Sequence, residues 1–354
     1  MGNFRPAVSV IIPMYNTEKY IGELLDSILS QTFQDYEVIV VDDCSKDNGV
    51  AVVQSYIPKF DGKLQLLRLD KNSGGASKPR NEGMKIAYGE YFYFMDSDDL
   101  LTPSALEIMY NSAKKFNADI VYQSRHSRIR GENLKKKIIR GNDKELKLVG
   151  NPAVKFLDGA FIVMPWAYLF RRELILKNKI EFPNLFIGED RFFVFCATCY
   201  VEKILCIPDI CYCYRLHSAS ISTRKISAAE LFERRTDAAL SSSKFVEEFV
   251  DKHIEFFAQN PEFKMKFFDK FIYGLMDPII SEKLNKKIPL QERLDIIYKI
   301  LEKVEDKTHL TAFLYNRIIA LRVSWREKNA KLKELKKKNE LLKKELDELK
   351  KSRS

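Results

Sequence analysis

Asp96-Ser97-Asp98 directly follows the apolar run Tyr91 to Met95. In an extended chain, residues i and i+2 point to one side. Both carboxylates then converge on one spot, an arrangement that asks for a cation. Hard oxygen ligands suit Mn2+ or Mg2+, with a diphosphate completing the shell. Taken alone, the pattern also fits a solvated loop or a helix cap ahead of Pro103. Two further polar clusters follow apolar runs: Pro13, Tyr15 and Asn16 after Val8–Ile12, and Asp42-Asp43 after Glu37–Val41. A flat aromatic ring and a carboxylate at neighbouring strand ends could grip a nucleobase, one stacking and the other accepting from an N–H. No Gly-x-Gly-x-x-Gly follows the first run, which disfavours a dinucleotide fingerprint, and no phosphate loop ending in Gly-Lys-Ser/Thr is present.

The elements that must hold these residues alternate. Strands are predicted at 8–12, 37–41, 64–69, 91–95 and 119–122. Helices are predicted at 18–31, 50–57, 79–87 and 104–116. Tyr20, Ile21, Leu24, Leu25, Ile28 and Leu29 carry the helical spacing of the first of these. A repeating βα pattern predicts an α/β fold with a mostly parallel sheet covered on both faces. Ligands of such sheets sit outside the carboxyl ends of the strands, where all three polar clusters fall. Residues 125–150 turn polar and Lys-rich, as in an exposed connection or hairpin. Residues 227–325 read as helix almost throughout, and the text from Arg326 is nearly all Lys, Glu, Leu and Asn.

The 354 residues are 45% apolar, 31% charged and 12% aromatic, which excludes a wholly disordered chain. No apolar run approaches the ~18 residues of a membrane span, and no secretory signal is apparent. The expectation is a cytoplasmic protein. Net charge is +10, but Arg326–Ser354 holds 12 Lys and Arg against 6 Asp and Glu, so the tail supplies most of the excess. With no zinc-finger spacing and no basic helix with aromatic partners, nucleic acid is not expected as a partner. Five of the six cysteines crowd into Cys196–Cys213. Their flanks, Phe192–Phe195 and Ile204–Ile207, read as core, where free cysteine packs as a small hydrophobe. That reading is preferred over a zinc site or disulfides.

Four segments, in order, are Val8-Ser-Val-Ile-Ile-Pro-Met-Tyr-Asn16, Val40-Val-Asp-Asp-Cys-Ser-Lys-Asp47, Gly74-Gly-Ala-Ser-Lys-Pro-Arg-Asn81 and Phe94-Met-Asp-Ser-Asp-Asp99. Together they resemble family 2 glycosyltransferases of the GT-A fold, of the bacterial cell-surface glycan type, over about residues 6–225. The pattern departs at Cys44, where that family usually has Gly, and at Lys78-Pro79, where small residues are common. The resemblance implies a nucleotide-sugar donor, usually a UDP-sugar, and a divalent metal, often Mn2+. It makes Tyr15 the base-stacking position, Asp43 the uracil acceptor and Arg80 a donor-binding group. Asp96 would face ribose and metal, and Asp98 would bind metal. Phe186-Ile-Gly-Glu-Asp-Arg-Phe-Phe193 resembles the segment that carries the base of inverting transfer, which assigns Asp190 as base and Glu189 to the acceptor side. Asp190 also reads as the N-cap of the helix at 191–200. Tyr212-Cys-Tyr-Arg-Leu-His-Ser-Ala-Ser-Ile-Ser222 resembles the segment closing the donor site. This implies Arg215 and His217 at the diphosphate, His217 in the metal shell, and Ser218, Ser220 and Ser222 as phosphate donors. Trp166 falls in a segment near the acceptor, or is simple core.

The implied organisation is a GT-A domain at 1–225, a helical domain at 226–325 and a basic tail at 326–354. In the tail, Leu332, Leu335, Asn339, Leu342, Leu346 and Leu349 occupy a and d positions, and an Asn at a favours two strands. Lys331, Lys336, Lys338 and Lys343 would repel one another across such a dimer, so a basic amphipathic helix on an anionic membrane is the alternative. The expected protein builds cell-surface polysaccharide, lipopolysaccharide, wall polymer or a glycoprotein glycan on a glycan, lipid-linked or protein acceptor. Its rival of another class is a catalytically silent scaffold that acts through its coil, yet both Asp98 and Asp190 are retained.

Overall fold

The computed structural model describes residues 5–130, 133–140, 145–185 and 188–217, the short helix Ile254–Gln259 and isolated positions beyond residue 226. The predicted helical domain at 226–325 lies outside the described residues except at those places, and the coiled-coil tail at 326–354 lies wholly outside them.

The chain opens on β1 (Val8–Met14) and β2 (Tyr36–Asp42), each buried along its whole length. Uninterrupted apolar strands of this kind need cover on both faces. One cover is α1 (Glu18–Leu29), which buries Ile21, Leu24, Leu25 and Ile28. Then come α2 (Gly49–Tyr56), β3 (Leu64–Arg68), α3 (Ser77–Ile86), β4 (Tyr91–Phe94), the two-residue β5 (Leu100–Leu101) and α4 (Ala105–Phe116). The second half contributes β6 (Ile120–Arg130), β7 (Asn133–Arg140), β8 (Lys147–Gly150), α5 (Pro152–Leu157), β9 (Tyr168–Arg171), α6 (Arg172–Lys177), α7 (Glu189–Cys199) and β10 (Lys203–Leu216).

The ten strands form one sheet in the order β3-β2-β1-β4-β9-β6-β10-β5, with β7 on β6 and β8 on β10. Strands β3, β2, β1 and β4 are parallel, as are β6 and β10. The expected mostly parallel sheet is instead mixed. Strand β9 enters antiparallel between β4 and β6, and β5, β7 and β8 are also antiparallel. A parallel neighbour needs a long crossover, usually helical. Among the described residues from 120 to 150 there is no helix, and β7 pairs antiparallel with β6. The strand predicted at 119–122 is β6, which runs on to Arg130.

Strand order reverses between β2-β1 and β4, the place where such sheets open a crevice at their carboxyl ends. The helix facing it, α3, is pressed close. A Cβ added at Gly83 would lie 2.6 Å from Cγ2 of Ile11 on β1. Behind the crevice, Phe182 stacks on Phe193 at 3.9 Å, and Phe94 meets both edge-on. Cys206, Cys211 and Cys213 are buried along β10, packed as part of the sheet's core.

Candidate active site

Three strand ends supply the crevice. Pro13 is still in register with Val41 of β2, and Tyr15 beyond it is an exposed ring. Asn16 takes a left-handed turn, φ 52°, and its Oδ1 accepts from the Lys46 N–H at 2.7 Å. That turn locks the loop after β1 to the loop after β2. Cys44 also has positive φ, 65°, consistent with the glycine expected there. Asp43 is buried, and its carboxylate accepts from the N–H and Oγ of Ser73 at 2.8 and 3.0 Å and from Asn72 Nδ2 at 3.1 Å. Spacing does not reveal these two partners, because they reach Asp43 from thirty residues away.

The Asp96–Asp99 turn follows β4 and is held from the far side of the sheet by β10. Asp99, which sequence reasoning passes over, is the anchor. The Tyr212 hydroxyl and the Arg215 N–H each donate to its carboxylate at 2.6 Å. The Tyr212 oxygen in turn accepts from the Asp96 N–H at 3.3 Å. Trp166 stacks flat on Tyr212, 4.3 Å between centroids, so its ring serves this wall of the site. Arg215 is fully buried. Its Nε donates to the Asp98 carbonyl at 2.9 Å, and NH2 pairs with Glu23 of α1 at 2.6 Å. Its guanidinium thus supports the turn from behind.

Asp98 Oδ2 lies 2.8 Å from Nε2 of His217, whose ring rests on Tyr20 at 4.3 Å. Burial and then the Asp96 charge raise the Asp98 carboxyl, while His217 opposes them. Burial and then the charges of Asp98 and Asp96 push Asp99 well up. A carboxylate oxygen and an imidazole nitrogen converging beside further acidic charge make a donor set that fits Mn2+ or Mg2+. Among the described residues no group of three or more His, Cys, Asp and Glu is arranged to hold an ion. Asp98 and His217 would therefore be two ligands of a shell finished by the donor.

Asp190 comes from the opposite wall. Gly188, at φ 98°, opens α7, and Glu189 and Asp190 form the acidic first turn. No side-chain cap bond is made there, so the cap predicted at Asp190 is not its role. Its Oδ1 accepts instead from Arg80 NH1 at 2.6 Å, while Arg80 NH2 reaches Asp96 Oδ1 at 2.8 Å. Burial raises Asp190 and the Arg80 charge opposes it. Glu189 is raised by burial and then by Asp190. For Arg80, burial is the largest influence and acts downward, but Asp190, Asp96 and Glu189 together outweigh it and keep the guanidinium charged. Outside this wall, a cleft of about 400 Å³ runs along the outer face of α3, lined by Lys71, Ser77, Lys78, Lys85 and Phe182 among others. Ser218 and Ser220, with Ser222, lie outside the described residues.

The crevice thus gathers Tyr15, Asp43, Arg80, Asp96, Asp98, Asp190 and His217 from segments spread over two hundred residues. The profile of "Glycosyl transferase family 2" matches residues 9–175. The chain is 36% identical over 190 residues to the Staphylococcus aureus poly(ribitol-phosphate) beta-N-acetylglucosaminyltransferase TarP, covering 52% of this chain and 55% of that protein. It is 32% identical over 222 residues to the glycosyltransferase GlyG of Streptococcus pneumoniae, covering 60% of this chain and 72% of GlyG. A crystal structure of S. aureus TarS 1–349 with UDP-GlcNAc superposes with a TM-score of 0.53 at 25% identity, covering 82% of this chain and 86% of that one. The chain spans 32% to 55% of the length of the poly(ribitol-phosphate) transferases it matches. No helix among the described residues is long and apolar enough to cross a membrane.

Proposed function

The chain belongs to glycosyltransferase family 2, and from that premise we propose that it moves a sugar, with inversion, from a UDP-sugar to a hydroxyl of a bacterial cell-surface polymer. The observation that carries this reading is the arrangement across the crevice. Asp98, in the turn after β4, meets His217, and Asp190 on α7 is joined to Asp96 of the same turn through Arg80.

In this reading Tyr15 stacks on the base and Asp43 accepts from it, its carboxylate held still by Ser73 and Asn72. Asp98 and His217 would hold Mn2+ or Mg2+, which when bound would offset the charge of the departing diphosphate. Asp190 removes the proton of the acceptor hydroxyl as that oxygen forms its bond to the anomeric carbon and the bond to UDP breaks. Glu189 borders the acceptor. Lys71 and Lys78, on a cleft that Glu82 and Glu181 also line and where Lys85 pairs with Glu82 at 2.9 Å, suit a phosphate-bearing polyol chain, in keeping with the poly(ribitol-phosphate) acceptors named for the relatives. Work at the cytoplasmic face, and a dimer through the heptads of 326–354, complete the proposal.

The test is a screen of nucleotide-sugars for hydrolysis and for transfer to poly(ribitol phosphate), with Mn2+ and with excess EDTA. Metal-stimulated turnover of one UDP-sugar supports the reading. Failure of every nucleotide-sugar under both conditions refutes it.

A further inference from the structure

We propose that Arg80 is the positioning residue of the transfer reaction: it aims the Asp190 carboxylate and ties its place to Asp96 on the donor wall. This rests on the reading of Asp190 as base, and goes beyond a donor-binding role for Arg80.

Three features fix the guanidinium before it meets either carboxylate. Helix α3 cannot lift or slide freely, because Gly83 lets it sit directly on Ile11. The Arg80 side chain is almost wholly enclosed, 4% exposed. Its guanidinium lies over the Phe182 ring at 5.1 Å, and that ring stacks on Phe193, three residues along α7 from Asp190. A face-to-face ring pair thus joins the surroundings of Arg80 to the helix that carries the base. From this fixed seat, NH1 takes Asp190 and NH2 takes Asp96. Two nitrogens of one planar group therefore set the separation of base and donor wall. A lysine ammonium is a point charge on a flexible stem and cannot set it.

Charge adds to geometry. The charged groups acting on Asp190 are Arg80 from α3 and Asp96 from the turn after β4; on α7 its chain neighbours are Glu189, which Asp190 raises, and Arg191. Burial and Asp96 favour the protonated acid, which cannot accept a proton, and Arg80 opposes both. Removing Arg80 therefore loosens the aim of the carboxylate and also moves the acid limb of the pH profile upward.

The experiment compares Arg80→Gln, Arg80→Lys and Asp190→Asn in the full chain with Mn2+ and the UDP-sugar that wild type turns over. It measures kcat, donor KM, UDP affinity by calorimetry, the pH dependence of kcat/KM, and folding by circular dichroism. Arg80→Gln should lower kcat about 10²-fold, the scale of a small misplacement. It should also raise the acid limb by about 1–3 pH units, the range for losing an adjacent opposite charge. Arg80→Lys should return the limb toward wild type while kcat stays low. If Arg80→Gln raises only donor KM and leaves kcat and the limb in place, the proposal is overturned. Should Arg80→Gln fail to fold, a wild-type kcat in Arg80→Lys overturns it equally. Wild-type rates in Asp190→Asn would remove the base assignment and this proposal with it. In the other failures Asp190→Asn is inactive, so the two are told apart.

Discussion

Tyr212→Phe removes one oxygen from the support of the Asp96–Asp99 turn and little else. The ring stack on Trp166, with planes 6° apart, needs no hydroxyl and survives. What is lost is the 2.6 Å bond to the buried Asp99 carboxylate and the acceptor of the Asp96 N–H. The Arg215 N–H remains on the other Asp99 oxygen. A hydrogen bond contributes about 0.5–1.5 kcal/mol net, and leaving a buried acceptor unsatisfied costs about 1–3 kcal/mol. The expected loss is about 2 kcal/mol near neutral pH, read by urea unfolding extrapolated to water. The sign with pH follows from Asp99. Its folded carboxyl is raised above the ordinary range, so ionised Asp99 weakens the fold above the unfolded value, and the Tyr212 hydroxyl moderates that. Without the hydroxyl the folded carboxyl rises further. The deficit of Tyr212→Phe should therefore grow as pH rises and shrink as pH falls toward the unfolded carboxylate range. Because the same oxygen steadies Asp96, kcat/KM should fall about tenfold, equivalent to ~1.4 kcal/mol. A variant with wild-type stability at neutral pH, or a deficit that does not change with pH, would refute the anchoring role of Asp99 and Tyr212.

Asp98→Asn and His217→Ala should each abolish metal-stimulated turnover while circular dichroism shows an intact fold; full wild-type activity in excess EDTA contradicts the metal assignment. Asp190→Asn should lose about 10²–10⁴ in rate, the usual reach of a general base, with UDP affinity near wild type by calorimetry. Burial pushes Asp190 up to about 6 against the pull of Arg80. A base must be ionised, so wild-type kcat/KM should fall as pH drops through about 6 and level off above it. Lys71→Gln combined with Lys78→Gln should raise KM for a phosphate-bearing acceptor several-fold and leave donor hydrolysis alone; an unchanged KM removes the α3 cleft from the acceptor path.

The strand-end residues of the crevice are legible in the sequence because they follow their strands directly. Tyr15, Asp43 and Asp96 each sit just past an apolar run, and the end of such a run is a local signal. Closure of the site was not legible. Tyr212 meets Asp99 across 113 residues and Arg80 meets Asp190 across 110. No periodicity reports a contact that depends on strand order, and the sheet, expected to be mostly parallel, turns mixed where β9 slips between β4 and β6.

The antiparallel insertion of β9 bears directly on the site. β9 lies beside β4, and β6 pairs with β9, so β10 reaches the Asp96–Asp99 turn from the far side of the mixed half-sheet. Its β5 partner, Leu100-Leu101, follows that turn immediately and pairs with Tyr212 and Cys213. Two residues of ladder are thus enough to bring Tyr212, Arg215 and His217 onto Asp98 and Asp99. The family resemblance implies a diphosphate contact for Arg215; in the structure its Nε and NH2 meet the Asp98 carbonyl and Glu23. The cation that reaches across the crevice is Arg80, whose place in the sequence equally suits an exposed helix charge. What separates the two arginines is which face of its element each occupies, and the packing of Gly83 on β1 sets that face for Arg80.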